Sequence, residues 1–229
     1  MSELLHVDIT VRRAGFELTA KFDAPPGVTI LFGPSGSGKS TTLAAIAGFE
    51  RPARGRIALG DAVWFDEGVD VPVEQRQVAM VFQSLALFPH MSALNNVMYG
   101  MDRAAPKVDR VRRAKDLLER FGVGHLALRR PKTFSGGEAQ RVALARALGM
   151  SPKVVLLDEP FSAADHELRK ALSKDVRASA ESLRIPFLHV THHKREARWL
   201  GDHVVRFERG CVVAAGALDD VLPHEDEAW

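Results

Sequence analysis

Read for hydrophobic and polar positions, the chain alternates between short apolar runs and longer amphipathic stretches. Val28 to Phe32, Val78 to Phe82, Val154 to Leu157 and Phe187 to Val190 are apolar on both alternations, which is the pattern of parallel strands covered on both faces. These runs are expected to be neighbours in one sheet. Between the second and third lies a segment rich in helix formers, RVRRAKDLLERFG and EAQRVALARALGM. HVDITV, FELTAKF, GRIALG and AVWF read as antiparallel strands, and HVVRFERGCVVAAG as a hairpin turning at Arg209-Gly210. The tail, LPHEDEAW, is polar and reads as loose. The expectation is one α/β domain over 1–229, with a mostly parallel core and an antiparallel β part from 1–83 and 151–229, and an inserted helical subdomain at 84–150.

Candidate chemistry begins where the first apolar run ends. VTILF is followed by Gly33-Pro34-Ser35-Gly36-Ser37-Gly38-Lys39-Ser40-Thr41 and then by helix-like TLAAIAG, which is GxxxxGK[ST] in strand, loop, helix context. Glycines let such a loop wrap phosphate oxygens and present backbone N–H groups, and the helix N-terminus adds a favourable dipole. Lys39 is expected on the β and γ phosphates of a nucleoside triphosphate, Ser40 on Mg²⁺ and Thr41 near the α phosphate. The plainer alternative is a glycine-rich turn before a helix.

The third run delivers Asp158-Glu159-Pro160 to the phosphate-binding edge of the sheet. Asp158 is expected to hold Mg²⁺ through water and Glu159 to act as general base on the attacking water, against the alternative of a solvated acidic pair. The fourth run ends in His189-Val190-Thr191-His192-His193. Three histidines in five residues leave zinc as the weaker reading, because no Cys or carboxylate partner is evident at the expected spacing, and His192 as a γ-phosphate contact fits better. His189 falls on the opposite face and reads as a packing residue.

Phosphate loop and acidic strand end together admit many nucleotide hydrolases; the residues between them discriminate. Phe134-Ser135-Gly136-Gly137-Glu138-Ala139-Gln140-Arg141, followed by a helix over RVALARAL, resembles the LSGGQ signature of ABC ATPases. The resemblance covers nearly the whole chain in order: Gln83 matches the Q-loop and is implied as a Mg²⁺ ligand, Ser162-Ala163-Ala164-Asp165 the D-loop, and His192 the switch histidine. It implies ATP and Mg²⁺, catalytic roles for Glu159, His192 and Gln83, and nucleotide contacts from Ser135, Gly136, Gly137 and Asp165. It further implies a head-to-tail homodimer sandwiching two ATP molecules. Physically, Ser135 and Gly137 open a helix as an anion site with no local lysine, which makes sense when a second subunit supplies the nucleotide. Departures are Phe134 for Leu, Glu138 for Gln, Ala164 for Leu and His193 for Asp. Phe16 is the candidate for stacking on adenine, with a core strand residue as the alternative.

Leu87-Phe88-Pro89-His90-Met91-Ser92 and Asn95-Asn96-Val97 look like the permease-coupling region of importer-type subunits, and GRIALGDAVWFD and FGPSG are similar to ATPase subunits of molybdate and related oxyanion importers. The implied partners are transmembrane permease subunits and, indirectly, a solute-binding protein, at the cytoplasmic face of a bacterial inner membrane. Many such subunits carry a β-rich regulatory domain beyond this point, and regulation through it is not expected of these 229 residues.

Composition narrows the partners. Lys and Arg number 31 against 29 Asp and Glu, a net charge of +2 that gives little reason for bulk nucleic-acid binding. A lone cysteine, Cys211, leaves no internal disulfide framework and fits a reducing compartment. The N-terminal stretch, with Glu3 and Asp8, lacks the apolar core of a signal peptide, and no run approaches the roughly 18 apolar residues of a membrane span. An exporter cassette or a soluble ABC ATPase of repair or translation is the alternative, though those usually carry inserts or tandem cassettes. A non-catalytic ATP-binding module is disfavoured, because Gln83, Asp158, Glu159 and His192 are all present.

Overall fold

In chain order the strands are β1 (Leu5–Arg13), β2 (Phe16–Ala24), β3 (Gly27–Phe32), β4 (Arg54–Leu59), β5 (Ala62–Phe65), β6 (Val78–Val81), β7 (Val154–Asp158), β8 (Pro186–Thr191), β9 (His203–Glu208) and β10 (Cys211–Ala217). The helices are α1 (Lys39–Ala47), α2 (Ala93–Met98), α3 (Lys107–Arg120), α4 (Gly136–Gly149), α5 (His166–Leu183), α6 (Lys194–Leu200) and α7 (Leu218–Val221). This computed structural model describes residues 4–13, 15–162 and 164–222. Glu3, Ala163 and the tail from Pro223, which the sequence reading took as loose, lie outside the described residues. Two units are distinguished, Met1–Arg76 with Val176–Trp229, and Gln77–Asp175.

In the first unit, strict alternation on β2 buries Leu18, Ala20, Phe22 and Ala24, while β1 buries Leu5, Val7, Ile9 and Val11 opposite them. Among the described residues, the strands of this unit line up in the order β5-β4-β1-β2-β10-β9-β3-β8. Pairing is antiparallel through β5, β4, β1 and β2, and parallel where β3 meets β8 and β9. β3 and β8 bury nearly every side chain, which is why neither shows a polar alternation. β9 and β10 form the expected hairpin: Arg209 and Gly210 have φ of 46° and 81°, the pair of positive angles that a type I′ turn demands. Gly210 is also fixed by space, because a methyl there would fall 2.3 Å from the Glu17 carbonyl oxygen.

Helix α1 ends at Gly48, which is left-handed with φ 90° and donates to the Ala44 and Ala45 carbonyls. Arg76, only 1% exposed, adds to this cap by donating to Ala45 O and Ile46 O at 2.8 and 3.0 Å, and also to Val71 O and Asp70. A cation at a helix C-terminus also complements the macrodipole. Burial lowers the Arg76 pKa against the opposing pull of Asp70.

In the second unit β6 and β7 pair in parallel, with Val78 opposite Val154. α4 is apolar around most of its circumference and packs against α2, α3 and β6. α3 is a surface helix that buries only Ala114 and Leu118, one turn apart. No described helix is long and apolar enough to cross a membrane.

Candidate functional site

The glycine-rich loop between β3 and α1 is shaped by positive φ at Gly33, Gly36 and Gly38 (153°, 78° and 106°), conformations closed to most residues with a Cβ. A methyl on Gly33 would sit 2.3 Å from Phe207 O, and one on Gly38 would meet Leu18 Cδ1 at 2.6 Å, whereas Gly36 faces open space. Gly33 and Gly38 are therefore demanded by packing as well as by angle, and Gly36 by angle alone. Lys39 is 5% exposed and folds back into its own loop, donating from Nζ to Gly33 O at 2.8 Å and Pro34 O at 2.7 Å. Pro34, Ser35 and Ser40 are exposed beside it, Ser37 is buried and Thr41 half-buried. Phe16 opens β2 half-buried, its ring edge 3.5 Å from where a Gly38 Cβ would stand, so the structure brings it beside the loop.

In the same unit β8 runs out at Thr191, leaving His192 exposed with its ring centroid 4.1 Å from that of His193. Thr191 Oγ1 accepts from His193 N–H and shapes the turn into α6. His189 is fully buried, as a packing histidine should be, and pairs through Nε2 with Glu196 of α6. That contact ties the strand before the His192 turn to the helix after it. A cavity of about 400 Å³ opens between the glycine-rich loop and this turn, lined by Gly33, Pro34, His192, Arg198 and Arg206 among others.

In the second unit β7 ends at Asp158 and Glu159 follows it, both partly exposed. Glu159 has φ 45°, a strained left-handed angle for a residue with a long side chain, and such strain concentrates at working sites. Gln83 is exposed after β6, with its Nε2 3.5 Å from Ser162 Oγ. Asp165 accepts from Leu168 N–H at 2.8 Å, the contact of an N-cap on α5.

Ser135 is the N-cap of α4 and shares a capping box with Glu138. Gly137 is required by packing, since a methyl there would lie 2.8 Å from Leu168 Cδ1. Gly136 is different: its backbone is helical and nothing lies within 4 Å of its Cβ position. Neither its conformation nor the space around its Cβ position inside the chain requires a glycine there.

The sequence reading missed Arg146. From α4 it donates to Leu85 O at 2.8 Å and to Ala86 O at 2.6 Å, holding the two residues after Gln83 that carry positive φ (58° and 45°), and it lies over the Phe88 ring. It also missed His125, which reaches Glu138, and Arg76, which caps α1. Local pattern offers no signal for pairs about 60 residues apart such as Arg146 and Ala86. An arginine on an otherwise buried helix face was the only hint.

The family model described as ABC transporter matches residues 19–162. The molybdenum import ATP-binding protein ModC of Methylococcus capsulatus is 43% identical over 225 residues, covering 98% of this chain and 63% of that protein. Its namesake from Brucella melitensis is 42% identical over 224 residues, covering 97% of this chain and 62% of that protein. The chain thus spans less than two thirds of these relatives' length. Among solved structures, an ATP-binding cassette of an ABC transporter in its ADP conformation superposes with a TM-score of 0.81 at 24% identity, over 97% of this chain and 95% of the other. A nucleotide-free cassette gives 0.79 at 23% identity, over 95% and 92%. Both share the α/β phosphate-loop fold.

Proposed function

The chain belongs to the ABC transporter family, and from that premise we propose that it is the ATP-hydrolysing motor of an importer, working as a head-to-tail dimer around two ATP molecules. One observation carries the dimer: Gly136, beside the capped Ser135, is open to solvent and unexplained by anything within its own chain. A triphosphate seated on a second subunit's loop gives that glycine its reason. The similarity to molybdenum import proteins along 98% of this chain favours molybdate or a related oxyanion as the cargo. The partners are then permease subunits, with a solute-binding protein upstream, and the place of work is the cytoplasmic face of the membrane.

In this reading the backbone N–H groups of Gly36 to Lys39 and the Lys39 ammonium hold the β and γ phosphates, with Phe16 against the adenine. Ser40, Asp158 and Gln83 offer hard oxygen donors of the kind Mg²⁺ prefers, and the ion when bound neutralises charge on the phosphate oxygens. Glu159 takes the proton of the attacking water as it adds in line to the γ phosphorus. The bond to the bridging oxygen breaks, and ADP leaves with that electron pair. His192 donates to the γ phosphate and orients it, while Ser135 and Gly136 of the second subunit close the site and Asp165 lies in the D-loop beside it. The 1–83 and 151–229 core and the 84–150 helical part serve as nucleotide seat and signature carrier within one domain.

The test is the steady-state ATPase rate against protein concentration for wild type, Glu159→Gln and Ser135→Arg. A rate per chain that rises with concentration and is lost in both variants is expected; a concentration-independent rate that survives Ser135→Arg would overturn the composite site. The cargo is tested by reconstituting the chain with a permease in vesicles, where molybdate should stimulate the rate and phosphate should not.

A further inference from the structure

Glu138 sits in the first turn of α4 and divides its carboxylate between two neighbours. Oε2 accepts from the Ser135 backbone N–H at 2.7 Å and from the Ser135 hydroxyl at 2.9 Å, while Oε1 meets His125 Nε2 at 3.2 Å. Ser135 Oγ in turn accepts from Glu138 N–H at 3.3 Å. A serine hydroxyl has one proton and two lone pairs. Here the proton is given to Glu138 and one lone pair to an amide, so what faces a ligand is a second lone pair. That is the wrong polarity for a phosphate oxygen, which needs a donor. To bind phosphate, the hydroxyl must rotate away from Oε2, and the incoming charge then faces a carboxylate across a single oxygen atom.

His125 is positioned to temper this. It stands on the short turn Gly124–Leu126, 60% exposed, and donates to Oε1 either as the Nε2–H tautomer or as the imidazolium. Each form draws charge toward the side of the carboxylate remote from Ser135. The Glu138 carboxyl lies below the usual carboxylate range, held there first by the Ser135 backbone bond and then by the Ser135 hydroxyl and His125, so it is ionised at neutral pH.

We propose that Glu138 and His125 are positioning residues that set how readily the Ser135 hydroxyl is released to a triphosphate held by a second subunit: Glu138 reserves the proton, and His125 weakens the reserve. This rests on the dimer reading above. Glutamine also forms a capping box, so Glu138→Gln removes the charge while keeping the helix start. A purely structural role for Glu138 would leave nucleotide dependence unchanged in that variant.

The experiment measures ATP-induced dimerisation by sedimentation against ATP concentration in the Glu159→Gln background. Adding Glu138→Gln should lower the half-saturating ATP concentration, and adding His125→Ala should raise it, each by roughly two- to fivefold, the scale of an exposed charge pair. In the Glu138→Gln background His125→Ala should have no effect, because its partner charge is gone. If the parent dimerises and Glu138→Gln leaves the midpoint unmoved, or the His125→Ala effect persists without the Glu138 charge, the proposal is overturned and the dimer stands. If the parent does not dimerise with ATP, the dimer reading fails and this inference fails with it.

Discussion

At the residue scale, single side chains settle charge questions that the motifs only pose. Lys39 is buried and fully engaged with two loop carbonyls, so Lys39→Ala removes the loop's cation and leaves those carbonyls to water. ATP affinity should fall about 10- to 100-fold, the range for a hydrogen-bonded charge, as read by titration calorimetry. Glu138 gives a pH prediction. Its folded pKa is depressed, so its contribution is present above the unfolded carboxylate pKa and is lost as pH falls through the folded value. The difference in melting temperature between wild type and Glu138→Gln should therefore be constant above the ordinary carboxylate range and change as pH drops through and below it. A difference that stayed flat into strong acid would contradict the assignment.

At the scale of elements, the buried strands were legible because their patterns are extreme. Val78–Val81, Val154–Asp158 and the segment from Val28 all fall where apolar runs place them, and the Arg209-Gly210 turn follows from a glycine at a position that needs positive φ. Boundaries shifted by a residue or so: β8 begins at Pro186, which can open a strand, and β6 stops before Phe82, which is exposed. The motif residues were legible for the same local reason, since a loop and its helix are contiguous in sequence. What stayed hidden were ties between distant segments, where one long polar side chain bonds to carbonyls and leaves no period behind. Arg76 is such a tie, and Arg76→Ala should destabilise the fold by about 3 kcal/mol in chemical denaturation, as Ile46 O loses its side-chain donor and Ala45 O one of its two. Arg146 is another. Arg146→Ala should raise amide exchange across Leu85 to Phe88 and lower stability by about 2 kcal/mol, and Arg146→Lys, which lacks the planar fork, should fall between.

At the scale of the whole molecule, family membership and fold agree, while the proposed cargo rests on likeness to relatives alone, since a fold does not carry a substrate with it. The position that speaks beyond the single chain is Gly136. A methyl there meets no protein atom and suits a helical backbone, so Gly136→Ala should leave the melting temperature within about 2 °C of wild type or raise it. The same variant should weaken ATP-dependent dimerisation measured by sedimentation. Wild-type dimerisation by Gly136→Ala would show that nothing approaches closely at this helix start.

The folded-back Lys39 has a thermodynamic consequence. The three N–H donors of that ammonium are spread over Gly33 O, Pro34 O and, at 3.5 Å, Ser37 Oγ, so a phosphate reaching it competes with these partners, and the heat of nucleotide capture reports the difference between two sets of contacts. Calorimetric enthalpy should then be small for the number of bonds formed, with much of the affinity coming from a loop whose shape is already set.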